Sequence, residues 1–106
     1  MFARNVSIQL KPNTLTEFTR TMDSEILPLL RKQKGFRDVI TFAIPGGREV
    51  LAISLWDEKE NAEAYNTSAY PKVLSTLNKV LDGTPHVKVL EVNSSTCHKI
   101  AVHATA

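Results

Sequence analysis

The segment Arg48 to Trp56, Arg-Glu-Val-Leu-Ala-Ile-Ser-Leu-Trp, limits the folds open to this chain more than any other. As an extended strand it places Val50, Ala52, Ser54 and Trp56 on one side and Leu51, Ile53 and Leu55 on the other. Both sides are mostly apolar, so both need cover. A single layer of helices in a small domain covers one face only. The pattern therefore predicts a sheet whose second face is closed by another copy of the chain, a homodimer.

The rest of the chain divides into elements that fit such a sheet. Phe2 to Leu10 alternates, with Val6, Ile8 and Leu10 on one side and Asn5, Ser7 and Gln9 on the other. Thr14 to Glu17 has the capping-box form, and Leu15, Phe18, Met22, Ile26 and Leu29 or Leu30 follow at helical spacing. Pro28 inside that helix frees the Ser24 carbonyl and predicts a kink or a helix in two pieces. Gly35 reads as a left-handed helix stop. Phe36 to Ile44 and Arg48 to Trp56 flank Pro45-Gly46-Gly47 as a hairpin. Asp57 then caps a second helix carrying Ala62, Tyr65 and Ala69 inward, which breaks near Thr67 and Ser68 and restarts at Pro71. Pro85 to Asn93 forms a fourth strand. The order βαββαβ is the ferredoxin-like α+β arrangement, an antiparallel four-stranded sheet with the first and third strands central. Residues 1–95 make one domain; 96–106 form a tail or, at His98 to Val102, a short edge strand.

Composition narrows the partners. A chain of 106 residues, 42% hydrophobic, makes a single core. The net charge of +2 is interspersed, which argues against nucleic acid, and Arg31, Lys32, Lys34 and Arg37 read as a helix C-terminus. The single cysteine, Cys97, precludes an intramolecular disulfide and fits a reducing compartment. No apolar run reaches membrane-spanning length and no signal-peptide pattern opens the chain, so the expected location is the cytoplasm, with no membrane partner.

Ala3-Arg4-Asn5, Lys34-Gly35-Phe36 and Ser54-Leu55-Trp56-Asp57 through Tyr65, in this order of elements, resemble the antibiotic biosynthesis monooxygenase-like family of dimeric α+β barrels. The resemblance implies face-to-face sheet pairing and a pocket in each subunit between sheet and helices. It implies a cofactor-independent monooxygenase acting on a small aromatic or enolisable substrate, with Asn5 as a pocket residue. The alternative is a non-catalytic small-ligand-binding or regulatory homodimer on the same fold. In haem-degrading relatives a helical tryptophan and an iron-binding histidine would fall at Tyr65 and Ser75; serine cannot replace imidazole, so haem is not expected.

The residues themselves supply a candidate site. Asn5, Ser7 and Gln9 share a face that is polar on a strand expected to be central, so they should meet one another, water or a ligand unless that strand lies at an edge. Tyr65 and Tyr70 can bring hydroxyls to a pocket. His86 is the histidine best suited to proton transfer, and it stands with the tyrosines as a candidate acceptor. Trp56 is either a packing anchor or a surface for stacking substrate. The expected catalytic set is thus Asn5, Tyr65, Tyr70 and His86, with Ser7, Gln9 and Trp56 binding substrate. Cys97, His98 and His103 lack the companions of a metal site, and no phosphate loop is present, so no metal or cofactor is expected.

Overall fold

The computed structural model describes residues 1–100. Its elements are β1 (Phe2–Gln9), α1 (Leu15–Thr21), a π-helical segment (Met22–Ile26), α2 (Leu27–Arg31), β2 (Phe36–Ala43), β3 (Glu49–Trp56), α3 (Lys59–Ser68), α4 (Tyr70–Leu77) and β4 (His86–Glu91). The sheet is antiparallel in the order β2-β3-β1-β4, as the βαββαβ reading requires. The helices cover one face, and the other is open among the described residues.

Period-two geometry assigns every strand residue to a face. Arg4 pairs with Ser54, Val6 with Ala52 and Ile8 with Val50, so these six side chains look toward the helices. Their neighbours Asn5, Ser7, Gln9, Leu51 and Ile53 look the other way. The covered face packs on Phe18, Met22, Ile26, Leu30, Tyr65, Val73 and Leu77, with Trp56 fully enclosed. On the open face Ile40, Phe42 and Ile44 are each about half exposed.

The first helix is divided into pieces, as Pro28 foretells, by a particular device. The Leu27 amide bonds to the Met22 carbonyl, five residues back, and Pro28 then stands in the first turn of α2. Phe18, Met22, Ile26 and Leu30 recur every four residues, a spacing that drifts around a regular helix. One widened turn restores them to a single buried face. Leu15, expected in that stripe, is exposed.

Local caps differ from the sequence reading by small shifts. Thr14 donates its hydroxyl hydrogen to the Lys11 carbonyl at 2.7 Å and makes no side-chain cap to the helix. Glu58, one residue beyond Asp57, is the cap of α3 and forms a reciprocal box with Asn61. Gly35 takes φ +81°, and a Cβ there would lie 2.2 Å from the Asn61 carboxamide oxygen. A glycine is therefore required both by the backbone and by the box. The second helix breaks at Ala69, the single residue between α3 and α4.

Beyond β4 the described residues 94–100 are irregular, and the His98 ring meets the Asp38 carboxylate at 2.5 Å. The edge strand expected at His98 to Val102 is absent from residues 98–100, and its remaining residues, like His103, lie outside the described ones. Among the described residues no helix is long and apolar enough to cross a membrane, and no group of three or more His, Cys, Asp or Glu residues is placed to hold a metal ion.

Candidate active site

Between the covered face of the sheet and the helices lies a cavity with about 50 Å³ of free space. Val6 and Ile8 of β1, Met22 and Ile26 of the π-helical segment, and Val73 and Leu77 of α4 make its walls apolar. Its polar end is built by Arg4, Ser54, Tyr65 and Tyr70.

Arg4 dominates that end. It lies in phase with Val6 and Ile8, so the strand drives it inward, and it is only 2% exposed. One terminal nitrogen donates to the Asn66 carboxamide oxygen at 2.7 Å. The Nε is buried with no acceptor. No carboxylate among the described residues forms an ion pair with it. In place of a counter-ion it has two rings, with its guanidinium carbon 3.9 Å from the centre of Tyr70 and 5.1 Å from that of Tyr65. Burial lowers its pKa from the usual value while the two tyrosines oppose the shift, and the group stays charged at neutral pH.

The tyrosines are shaped by the same burial. It pushes Tyr65 up to about 12, against the pull of the Arg4 charge. It raises Tyr70 as well, again with Arg4 opposing. Both hydroxyls therefore keep their protons near neutrality and can donate. The Tyr70 hydroxyl is buried near the Arg4 guanidinium without a well-formed hydrogen bond, so Arg4 holds this residue chiefly through its ring. Behind Tyr65 stands Trp56, their ring centres 5.0 Å apart, and its Nε1 donates to Ser54 Oγ at 2.9 Å. Phe36 packs edge-on against the far side of Trp56.

Two of the expected site residues, Tyr65 and Tyr70, are thus brought together at the cavity. Trp56 stands one layer behind it. Asn5, Ser7, Gln9 and His86 do not reach it, because they have the opposite phase on their strands. Asn5 faces away from the helices beside Lys88 and Ile53, with its Oδ1 buried and unpartnered; Ser7 lies between His86 and Leu51, and Gln9 beside Glu49. Arg4, Ser54 and Asn66 were missed by sequence reasoning. Arg4 carried a usable signal, a charge in the phase of an apolar strand face. Asn66, a solvent-side helical residue in the sequence pattern, carried none.

Haem is poorly matched by this set. Among the described residues no histidine or cysteine lines the cavity, and Ser75 is exposed on α4.

The arrangement defines an α+β ferredoxin-like domain with an apolar cavity and one enclosed cation, and this is the fold of antibiotic biosynthesis monooxygenase-like proteins. A monooxygenase from the ActVA-Orf6 gene of Streptomyces coelicolor, solved with nanaomycin D, superposes with a TM-score of 0.75 at 15% identity, covering 89% of this chain and 88% of its own. A mutant of MhuD with two manganese protoporphyrin IX molecules per active site gives 0.74 at 13% identity, covering 91% and 98%. A candidate antibiotic biosynthesis monooxygenase from Bordetella bronchiseptica gives 0.73 at 14% identity, covering 86% and 95%. No family model matches the sequence, and no curated protein does.

Proposed function

We propose that this chain is a cofactor-independent monooxygenase for a small aromatic or enolisable substrate, working as a homodimer with one cavity in each subunit. The observation that carries the reading is Arg4, a cation enclosed in an apolar cavity with no carboxylate beside it. Desolvating such a charge costs several kcal/mol, roughly; Asn66 and the two rings offset part of that cost, and an anion in the cavity would offset more. A deprotonated phenol or enol is an anion of suitable shape, and it can itself pass an electron to oxygen.

The protein then has three tasks. Arg4 stabilises the anion, the apolar walls keep water out, and the Tyr65 hydroxyl donates a hydrogen bond to the oxygen that carries charge. Protonated as they are, neither tyrosine is a proton acceptor in this scheme. Over the whole reaction a ring CH2 and one O2 become a carbonyl and one water. Asn5, Ser7, Gln9 and His86 belong in this reading to the face that meets the second copy. Ile40, Phe42, Ile44 and Leu90 supply the exposed apolar surface there.

The test is oxygen uptake by chelator-treated protein with anthrone- and hydroquinone-type compounds. Uptake should exceed that in buffer, and Arg4→Gln should lower it at least about tenfold. No acceleration, or an unchanged Arg4→Gln, would sink the proposal. The small free volume favours one second reading, a non-catalytic ligand-binding dimer, which gives a raised melting temperature with ligand and no uptake.

A further inference from the structure

The cavity is too small for the ligand its chemistry suits. Pockets that enclose small organic molecules measure roughly 300–1,000 Å³, against about 50 Å³ here. Something that fills the site must leave when a ligand arrives. The covered face offers few side chains able to do so. Tyr65 is wedged against Trp56 and is 4% exposed. Val6 and Ile8 are fixed on the central strand.

Tyr70 differs from these in three respects. It is the first residue of α4, directly after the one-residue joint at Ala69 and before Pro71, which has no amide to tie into the helix. It is partly exposed. Its hydroxyl makes no well-formed hydrogen bond, so swinging the ring out gives up chiefly its contacts with the Arg4 cation and the Tyr65 ring. That contact is informative in itself. The ring lies 3.9 Å from the guanidinium carbon, in the position a flat aromatic ligand would take on a cation.

We infer that Tyr70 is a built-in stand-in for the ligand: a flat aromatic anion enters by displacing the Tyr70 ring from Arg4, taking its space and accepting a hydrogen bond from the unmatched Arg4 Nε. The inference rests on the proposed function for its site and deepens it by naming the ligand class and the residue that selects for it. Tyr70 sets both the rate of entry and the size of what enters. A ligand without an aromatic body gains nothing to replace the lost stacking, and one without negative charge leaves the Arg4 Nε unsatisfied.

The experiment uses binding alone, with 2-naphthoate and its uncharged analogue 2-naphthamide, by calorimetry and stopped-flow fluorescence. Wild type should prefer naphthoate at least about tenfold, and Arg4→Gln should bind the two alike. Tyr70→Leu should bind naphthoate at least about tenfold faster than wild type, whereas Tyr70→Phe, which keeps the ring, should stay within about twofold of it. Equal binding of both compounds by wild type overturns the inference. So does a Tyr70→Leu rate equal to wild type, or a Tyr70→Phe rate equal to that of Tyr70→Leu. Cooperative unfolding of each variant guards against a misfolded one, and the Tyr70→Phe comparison holds even where Tyr70→Leu is damaged. Naphthoate is not oxidised in this assay. Oxygenase activity with no Tyr70 effect removes only this inference, and the stated binding pattern with no oxygen uptake removes only the monooxygenase.

Discussion

On the covered face of the sheet a charge, Arg4, is enclosed among apolar neighbours; on the open face Ile40, Phe42 and Ile44 stand in water. Each face carries what would suit the other. A folded chain selected only for its own stability would exchange them. The contrast teaches that the two faces are built for different contacts. In the proposed reading the covered face takes an anion and the open face a second copy, and these are different kinds of demand. The first is a small site around one buried charge, whereas the second is a broad and non-directional apolar surface.

The largest test of this contrast falls on the open face. Phe42→Glu puts a charge where a second sheet should pack, and it should weaken self-association by at least about a hundredfold, near 3 kcal/mol, in sedimentation equilibrium. The subunit's own melting should change far less, because Phe42 is 51% exposed within it. If the wild type is already a monomer at micromolar concentration, the open face needs another explanation.

A second test sharpens the account of the covered face. Tyr65 is held up at about 12 when folded, against an ordinary value near 10 when unfolded. Its protonated form is thus favoured by the fold. The associated stability is complete below pH 10 and is lost as pH rises through 12. Denaturant unfolding from pH 9 to 12 should show a loss of up to about 2 kcal/mol from this residue, and Tyr65→Phe should flatten that part of the profile.

The smallest effect is the most diagnostic. Arg4→Met keeps the length of the side chain and removes its charge, and it should raise stability by about 1 kcal/mol in the unliganded protein while abolishing any preference for anions. A buried arginine that merely held the fold together would behave in the opposite way, with Arg4→Met destabilising.

Much of the architecture was legible because it depends on short-range patterns. Alternation in Phe2 to Leu10 and the apolar run in Arg48 to Trp56 identified strands, and glycine and proline marked the turns and the helix division near Pro28. The βαββαβ order placed β1 and β3 in the middle of the sheet. The site was less legible. A period of two separates Arg4 and Val6 from Asn5 and Ser7 without effort, but asparagine and serine look more like site residues than an arginine beside valine does. What decides the matter is which face the helices cover, a long-range fact. The partnership of Arg4 with Asn66, 62 residues away, is likewise set by the docking of α3 and leaves no mark in either local sequence. The widened turn at Met22 to Ile26 needed the whole stripe from Phe18 to Leu30 to be seen at once.

Trp56 is the sole tryptophan of the chain, and it has no contact with solvent. Its emission should accordingly be blue-shifted and come from one environment, with no second fluorophore of its kind to confuse the signal. Wedged between Phe36 and Tyr65, it is a native optical gauge at the corner where β2, β3 and α3 meet. Loosening of that corner can be followed in real time, without attaching a dye.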